Sequence, residues 1–93
     1  MEKVQLKHPE GKKAISMEKA KYDALKTSFI NCLKARKSAT FDMLLSDVKA
    51  DLQSKNIQLK GVLQWNLFWA TLDMEANGIL KKNKKVSPYL YSL

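Results

Sequence analysis

Apolar positions recur at helical intervals through three stretches of this chain and alternate with polar ones near its two ends. In "MEKAKYDALKTSFINCLKARK", Tyr22, Leu25, Phe29, Cys32 and Leu33 share one face, while Lys19, Lys26, Lys34 and Lys37 fall mostly elsewhere. The spacing predicts a first helix over about 17–37. Ser16 stands where an N-cap hydroxyl accepts a free N–H of the first turn, and Glu18 complements the positive end of the helix. A second amphipathic stretch, "SATFDMLLSDVKADLQSKN", puts Phe41, Leu44, Leu45, Val48 and Leu52 together and predicts a helix over about 42–54. Thr40 or Asp42 can cap it, with Phe41 as a hydrophobic staple if the cap is Asp42. A third helix is expected over about 62–77, closed by Gly78, which takes the left-handed conformation needed past a helix end. "ILKKN" and "PYLYSL" then flank a polar turn, predicting a hairpin over about 79–92. Residues 1–15 read as an arm ahead of a domain over 16–93. Val4 and Leu6 alternate with polar neighbours before His8-Pro9-Glu10-Gly11 breaks the chain, so the arm is either disordered or a short strand laid on the domain.

The third helix departs from a simple surface helix. At about 100° per residue, Trp65, Phe68, Trp69, Leu72 and Ala76 gather on one side, and Leu63, Leu67, Ala70 and Met74 on the opposite one. Gln64, Thr71 and Glu75 fill one gap between them, and Asn66, Asp73 and Asn77 the other. A helix on a small domain ordinarily carries one apolar stripe. Both stripes can be buried in one small core, the tryptophan side can be the core with the Met74 side only partly covered, the arm can fold over one of them through Val4, Leu6 or Ile15, or one can meet a second copy or a partner protein, where aromatic anchors are common.

The order helix, helix, helix, hairpin, with "LDMEANGILKK" at the junction and "SATFDMLLSDV" as second helix, resembles the winged helix-turn-helix superfamily over residues 17–93. The fold this implies is mainly α with a small β-hairpin. "HPEGKK" ahead of "EKAKYDAL", a tryptophan early in the third helix and "LDMEANGIL" are also similar to a family of short uncharacterised bacterial proteins, which implies no biochemical role. In winged helices the residue four before the closing glycine packs inward. Here that is Met74, so the resemblance turns the tryptophan stripe toward the side that would meet DNA.

Charge sharpens the choice. The formal net charge is +8. It divides as +6 over residues 1–37 (ten Lys/Arg, four Asp/Glu), −2 over 38–78 (three, five) and +4 over 79–93 (four, none). A basic balance favours nucleic acid or another anionic partner. Yet no Lys or Arg lies between Gly61 and Leu80, where a base-reading helix commonly carries them. DNA association is therefore expected through phosphate contacts from Lys81, Lys82, Lys84 and Lys85 in the hairpin and Lys12 and Lys13 in the arm, with Lys60, Gln64 and Asn66 beside them. The alternative is a protein-interaction or dimerisation module using Trp65, Phe68, Trp69 and Leu72.

Enzymatic chemistry has little to stand on. His8 is the lone histidine and Cys32 the lone cysteine, so no internal disulfide or Cys-rich zinc site is possible. "EGKK" lacks the spacing of a phosphate-binding loop, and Asp42, Asp47 and Asp51 are spaced as a solvated face of the second helix. The expectation is a non-enzyme with no metal or cofactor and no small-molecule ligand. The absence of a membrane-length apolar run and of a signal-like N-terminus points to a cytoplasmic protein.

Overall fold

The computed structural model describes residues 2–93. Five short strands and three helices follow in the order β1 (Lys3–Gln5), β2 (Ser16–Glu18), α1 (Lys19–Arg36), β3 (Ser38–Thr40), α2 (Phe41–Ser54), α3 (Leu63–Ala76), β4 (Lys81–Asn83) and β5 (Leu90–Ser92). The result is a small mixed α/β domain around one core. Leu25, Phe29 and Leu33 of α1, Leu44 and Val48 of α2, and Leu67, Ala70 and Met74 of α3 are wholly removed from solvent. They come from faces that the helical periodicity marks out, the single apolar side of α1 and of α2 and one of the two of α3, because each helix must bury apolar surface against the others.

The arm is a strand packed on the domain. β1 pairs antiparallel with β2, Val4 opposite Met17, and both Leu6 and Met17 enter the core. This pairing displaces the predicted cap of α1. Ser16 is a strand residue whose hydroxyl donates to Gln5 Oε1 at 2.9 Å, and the helix starts after Glu18 without a side-chain cap. The turn between the strands carries Gly11 at a φ of +75°.

Strand β3 was not expected from the sequence, since three residues carry no readable period. It pairs with β5, Ala39 opposite Tyr91, and β4 pairs with the other edge of β5, giving the order β3-β5-β4. Tyr91 thereby meets Phe29 of α1 edge-on, with centroids 6.1 Å apart, and ties the sheet to the core. The chain then enters α2 through Thr40, whose Oγ1 accepts the Met43 N–H at 3.3 Å. Thr40 is the cap and Asp42 sits in the first turn, where its charge suits the helix end.

The aspartates of α2 do more than solvate a face. Asp47 receives Arg36 from α1, and Asp51 accepts from Ser28 at 2.7 Å and from Lys55 at 3.1 Å. The Arg36 hydrogen bond holds the Asp47 carboxyl below the ordinary range. Ser28 and then Lys55 do the same for Asp51. Cys32 lies beside them, and burial, then these two carboxylates, push its thiol up.

Asp73, which falls in a polar gap between the two stripes of the third helix, is buried. It is 4% exposed and accepts from the Lys7 backbone N–H at 2.8 Å, from the Tyr22 hydroxyl, and from Asn77 Nδ2 at 3.1 Å. One buried carboxylate thus joins the arm, α1 and α3. It also explains why an acidic residue interrupts the third helix: it satisfies donors that burial would otherwise orphan.

Candidate interaction surface

The stripe of α3 that carries Met74 is core, and the tryptophan stripe opens to solvent at its N-terminal half. Trp65 is 58% exposed and Phe68 39%. They form an aromatic ladder along one side of the helix. Trp65 and Phe68 lie nearly parallel, and Trp69 meets Trp65 edge-on with centroids 6.0 Å apart. Trp69 is half-buried against the core, and its Nε1–H is enclosed with no acceptor among the described residues. Leu72 is only 7% exposed, so it supports the helix from within and takes no part in the exposed patch.

Opposite the ladder stands the sheet. Phe41 at the start of α2 meets Phe68 edge-on at 6.2 Å, and Tyr89 and Tyr91 face them across a groove of about 640 Å³. Val62, Gln64, Trp65 and Lys82 complete its walls. Val62 and Tyr89 are exposed like Trp65. Lys82 is the one charged residue in the lining. Its ammonium sits 4.9 Å from the Tyr89 ring centre and 5.8 Å from that of Tyr91. No carboxylate pairs with it among the described residues.

The side chains expected to touch DNA divide among three places. Lys81, Lys84 and Lys85 are exposed on β4 and in the turn after it, where the Lys85 N–H is held by Asn83 Oδ1 at 3.0 Å. Lys82 instead turns into the groove. Lys12 and Lys13 are exposed in the β1–β2 turn, and Lys12 lies 3.1 Å from Glu10. That contact holds the Glu10 carboxyl below its ordinary value.

Lys60 and Gln64 are exposed beside the groove. Asn66 has a local structural task. Its Nδ2 donates to the carbonyls of Lys60 at 3.3 Å and Val62 at 3.1 Å, closing the turn into α3. Gly61 in that turn has a φ of +91°, and a Cβ there would sit 3.0 Å from the same amide. Asn66 therefore shapes the entry of α3 and sets where Val62 and Trp65 emerge. The groove itself was not legible in the sequence, because Phe41, Tyr89 and Lys82 reach it from elements far apart in the chain.

No group of His, Cys, Asp or Glu among the described residues could hold a metal ion. No helix among them is long and apolar enough to cross a membrane. No curated protein and no solved structure matches the chain at a significant level. A protein family does, over residues 3–90, a span that takes in the β1–β2 ribbon, all three helices and the strand that walls the groove. The chain therefore belongs to the family of unknown function DUF6958.

Proposed function

We propose that this protein is a small winged-helix module that binds another protein through the groove between α3 and the C-terminal hairpin. The winged-helix reading is supported by the order of the helices, by the hairpin that follows α3, and by β3, which lies between α1 and α2 and pairs with the last strand. In that frame α3 takes the place of the DNA-reading helix. The observation that carries the protein-binding reading is the exposure of Trp65, Phe68 and Val62 on the outer side of a helix with no Lys or Arg. An apolar patch with aromatic anchors and a polar rim is the pattern of a protein interface. The same patch is a poor bed for phosphates, which seek cations and backbone N–H groups.

A photocrosslinking amino acid in place of Trp65, in the host cell, tests this. Adducts to a discrete polypeptide are expected, and a second change, Phe68→Glu, should abolish them. If position 65 yields nothing beyond what the same probe yields at exposed Lys34, the groove is not a protein-binding site.

A second reading rests on the two basic turns, where Lys12, Lys13, Lys84 and Lys85 are all exposed. These lysines would hold duplex DNA by phosphate contacts without reading bases. Binding would then be measurable at about 50 mM salt and fall steeply as salt is added. Replacing Lys81, Lys82, Lys84 and Lys85 together should remove it. A duplex that fails to bind at low salt ends this reading and leaves the first untouched.

A further inference from the structure

We infer that the groove selects an acidic amphipathic segment of a partner protein, with Lys82 receiving a carboxylate that lies next to the segment's apolar anchors. This rests on the groove being a protein-binding site and adds the chemistry of what enters it. The lining is aromatic and aliphatic except for Gln64 and Lys82, and it holds no acidic residue. Lys82 is half-buried over two tyrosine rings and has no carboxylate partner among the described residues. A cation held there against π faces alone gains a charge-assisted hydrogen bond when a carboxylate arrives. Lys81, Lys84 and Lys85 are exposed on the same hairpin and Lys60 shortly before α3, so the elements that bear the groove carry further positive charge.

Other occupants fit less well. Five aromatic rings around one groove suggest a cage for a quaternary ammonium. Lys82 already occupies the faces of Tyr89 and Tyr91, and a second cation would be repelled by it. A second copy of this chain would bring a second Lys82 toward the first, on a protein of net charge +8. A single-stranded nucleic acid would find rings to stack on, but such sites pair the rings with a basic track along the backbone. Here the lysines stand on the hairpin wall, and the α3 wall from Val62 to Ala76 has none. A segment carrying one or two carboxylates beside apolar side chains matches a groove charged on one wall. An amphipathic helix laid into a hydrophobic groove is an established way to make such a contact.

The test uses four probes on the full chain: a short amphipathic peptide with glutamates beside leucine and phenylalanine, its glutamine counterpart, its lysine counterpart, and an oligothymidylate. Binding is followed by tryptophan fluorescence and by anisotropy of labelled probes. The glutamate peptide should bind at least about tenfold more tightly than the glutamine one, as a charged hydrogen bond allows, and the lysine one should bind least. Lys82→Gln should remove the preference for glutamate and leave the affinity for the glutamine peptide. Lys34→Gln, on α1 and outside the groove, should change the glutamate peptide far less than Lys82→Gln does. Trp65→Ala should weaken both peptides, with the far-ultraviolet circular dichroism unchanged.

Equal affinity for the glutamate and glutamine peptides overturns the acidic preference while leaving the groove a protein site. Equal losses from Lys82→Gln and Lys34→Gln overturn it too, since they trace the preference to diffuse charge. If oligothymidylate quenches the tryptophans in preference to every peptide, or no peptide responds to Trp65→Ala, the groove reading itself falls.

Discussion

Replacing Met74 with alanine should cost this domain several times more stability than replacing the larger Trp65. Met74 is wholly buried among Leu25, Leu67 and the rest of the core. Truncating it loses the transfer energy of its side chain and leaves a cavity that a close-packed core cannot fill, about 3 kcal/mol within a range of roughly 2–5. A tryptophan offers roughly 150–250 Å² for burial. With Trp65 still 58% exposed, roughly 60–100 Å² leaves water on folding, worth about 1.5–2.5 kcal/mol at about 25 cal/mol per Å². That is an upper bound, because the unfolded chain already hides part of the area and water fills a surface vacancy, so about 1 kcal/mol is expected. A chain of 93 residues has about 5–14 kcal/mol of stability to draw on, so both variants should remain folded. Urea unfolding followed by circular dichroism measures the two, and a gap of about 2 kcal/mol separates their midpoints by roughly 1 M. The wild type should show one midpoint at all protein concentrations. A Trp65→Ala loss as large as that of Met74→Ala, together with a midpoint that rises with concentration, would mean that a second copy covers the aromatic ladder. The assignment of one stripe to the core and the other to solvent would then be wrong.

Three further outcomes follow from the polar ties. Asp73→Ala should cost about 3 kcal/mol, since it orphans the Lys7 N–H and the Tyr22 hydroxyl; a double-mutant cycle with Tyr22→Phe should show at least about 1 kcal/mol of coupling, and strict additivity would refute the shared bond. Asp47 and Asp51 have lowered carboxyl pKa values in the folded state, so their contribution is present above the unfolded carboxylate range and is lost as pH falls below about 4. Asp47→Asn should accordingly flatten the acid limb of stability against pH, and an unchanged limb counts against the Arg36 contact. Tyr22 and Tyr91 have raised pKa values, chiefly from burial; the stability this represents is whole below about pH 10 and lost on going higher. Phenolate absorbance should therefore show part of the tyrosine signal rising at higher pH in the folded protein than in the unfolded chain, and Tyr22→Phe should remove part of that late step.

The helices could be read from the chain because period and burial coincide locally. Leu25, Phe29 and Leu33, or Leu44, Val48 and Leu52, fall on one face by spacing alone, and any compact structure must turn that face inward. Gly78 closes α3 for an equally local reason: its φ is +75°, where a side chain is strained. Strands of three residues carry no such signal. Whether Ser16 caps a helix or pairs with Gln5 depends on β1, and β3 exists because β5 offers it an edge. The two stripes of α3 were visible in the sequence, but periodicity treats them alike. Only tertiary packing decided that Met74 goes in and Trp65 stays out: the Met74 side packs into the core, whereas the outer side is covered at Leu72 and partly at Trp69 and is left open at Trp65 and Phe68. The same holds for charge. The sequence shows Asp73 as a polar residue between two apolar stripes and Lys82 as a hairpin lysine, whereas the fold buries the first under three donors and lays the second over two tyrosines. Composition supplied the groups; the places where they meet come from contacts between residues far apart in the chain, which no local pattern encodes.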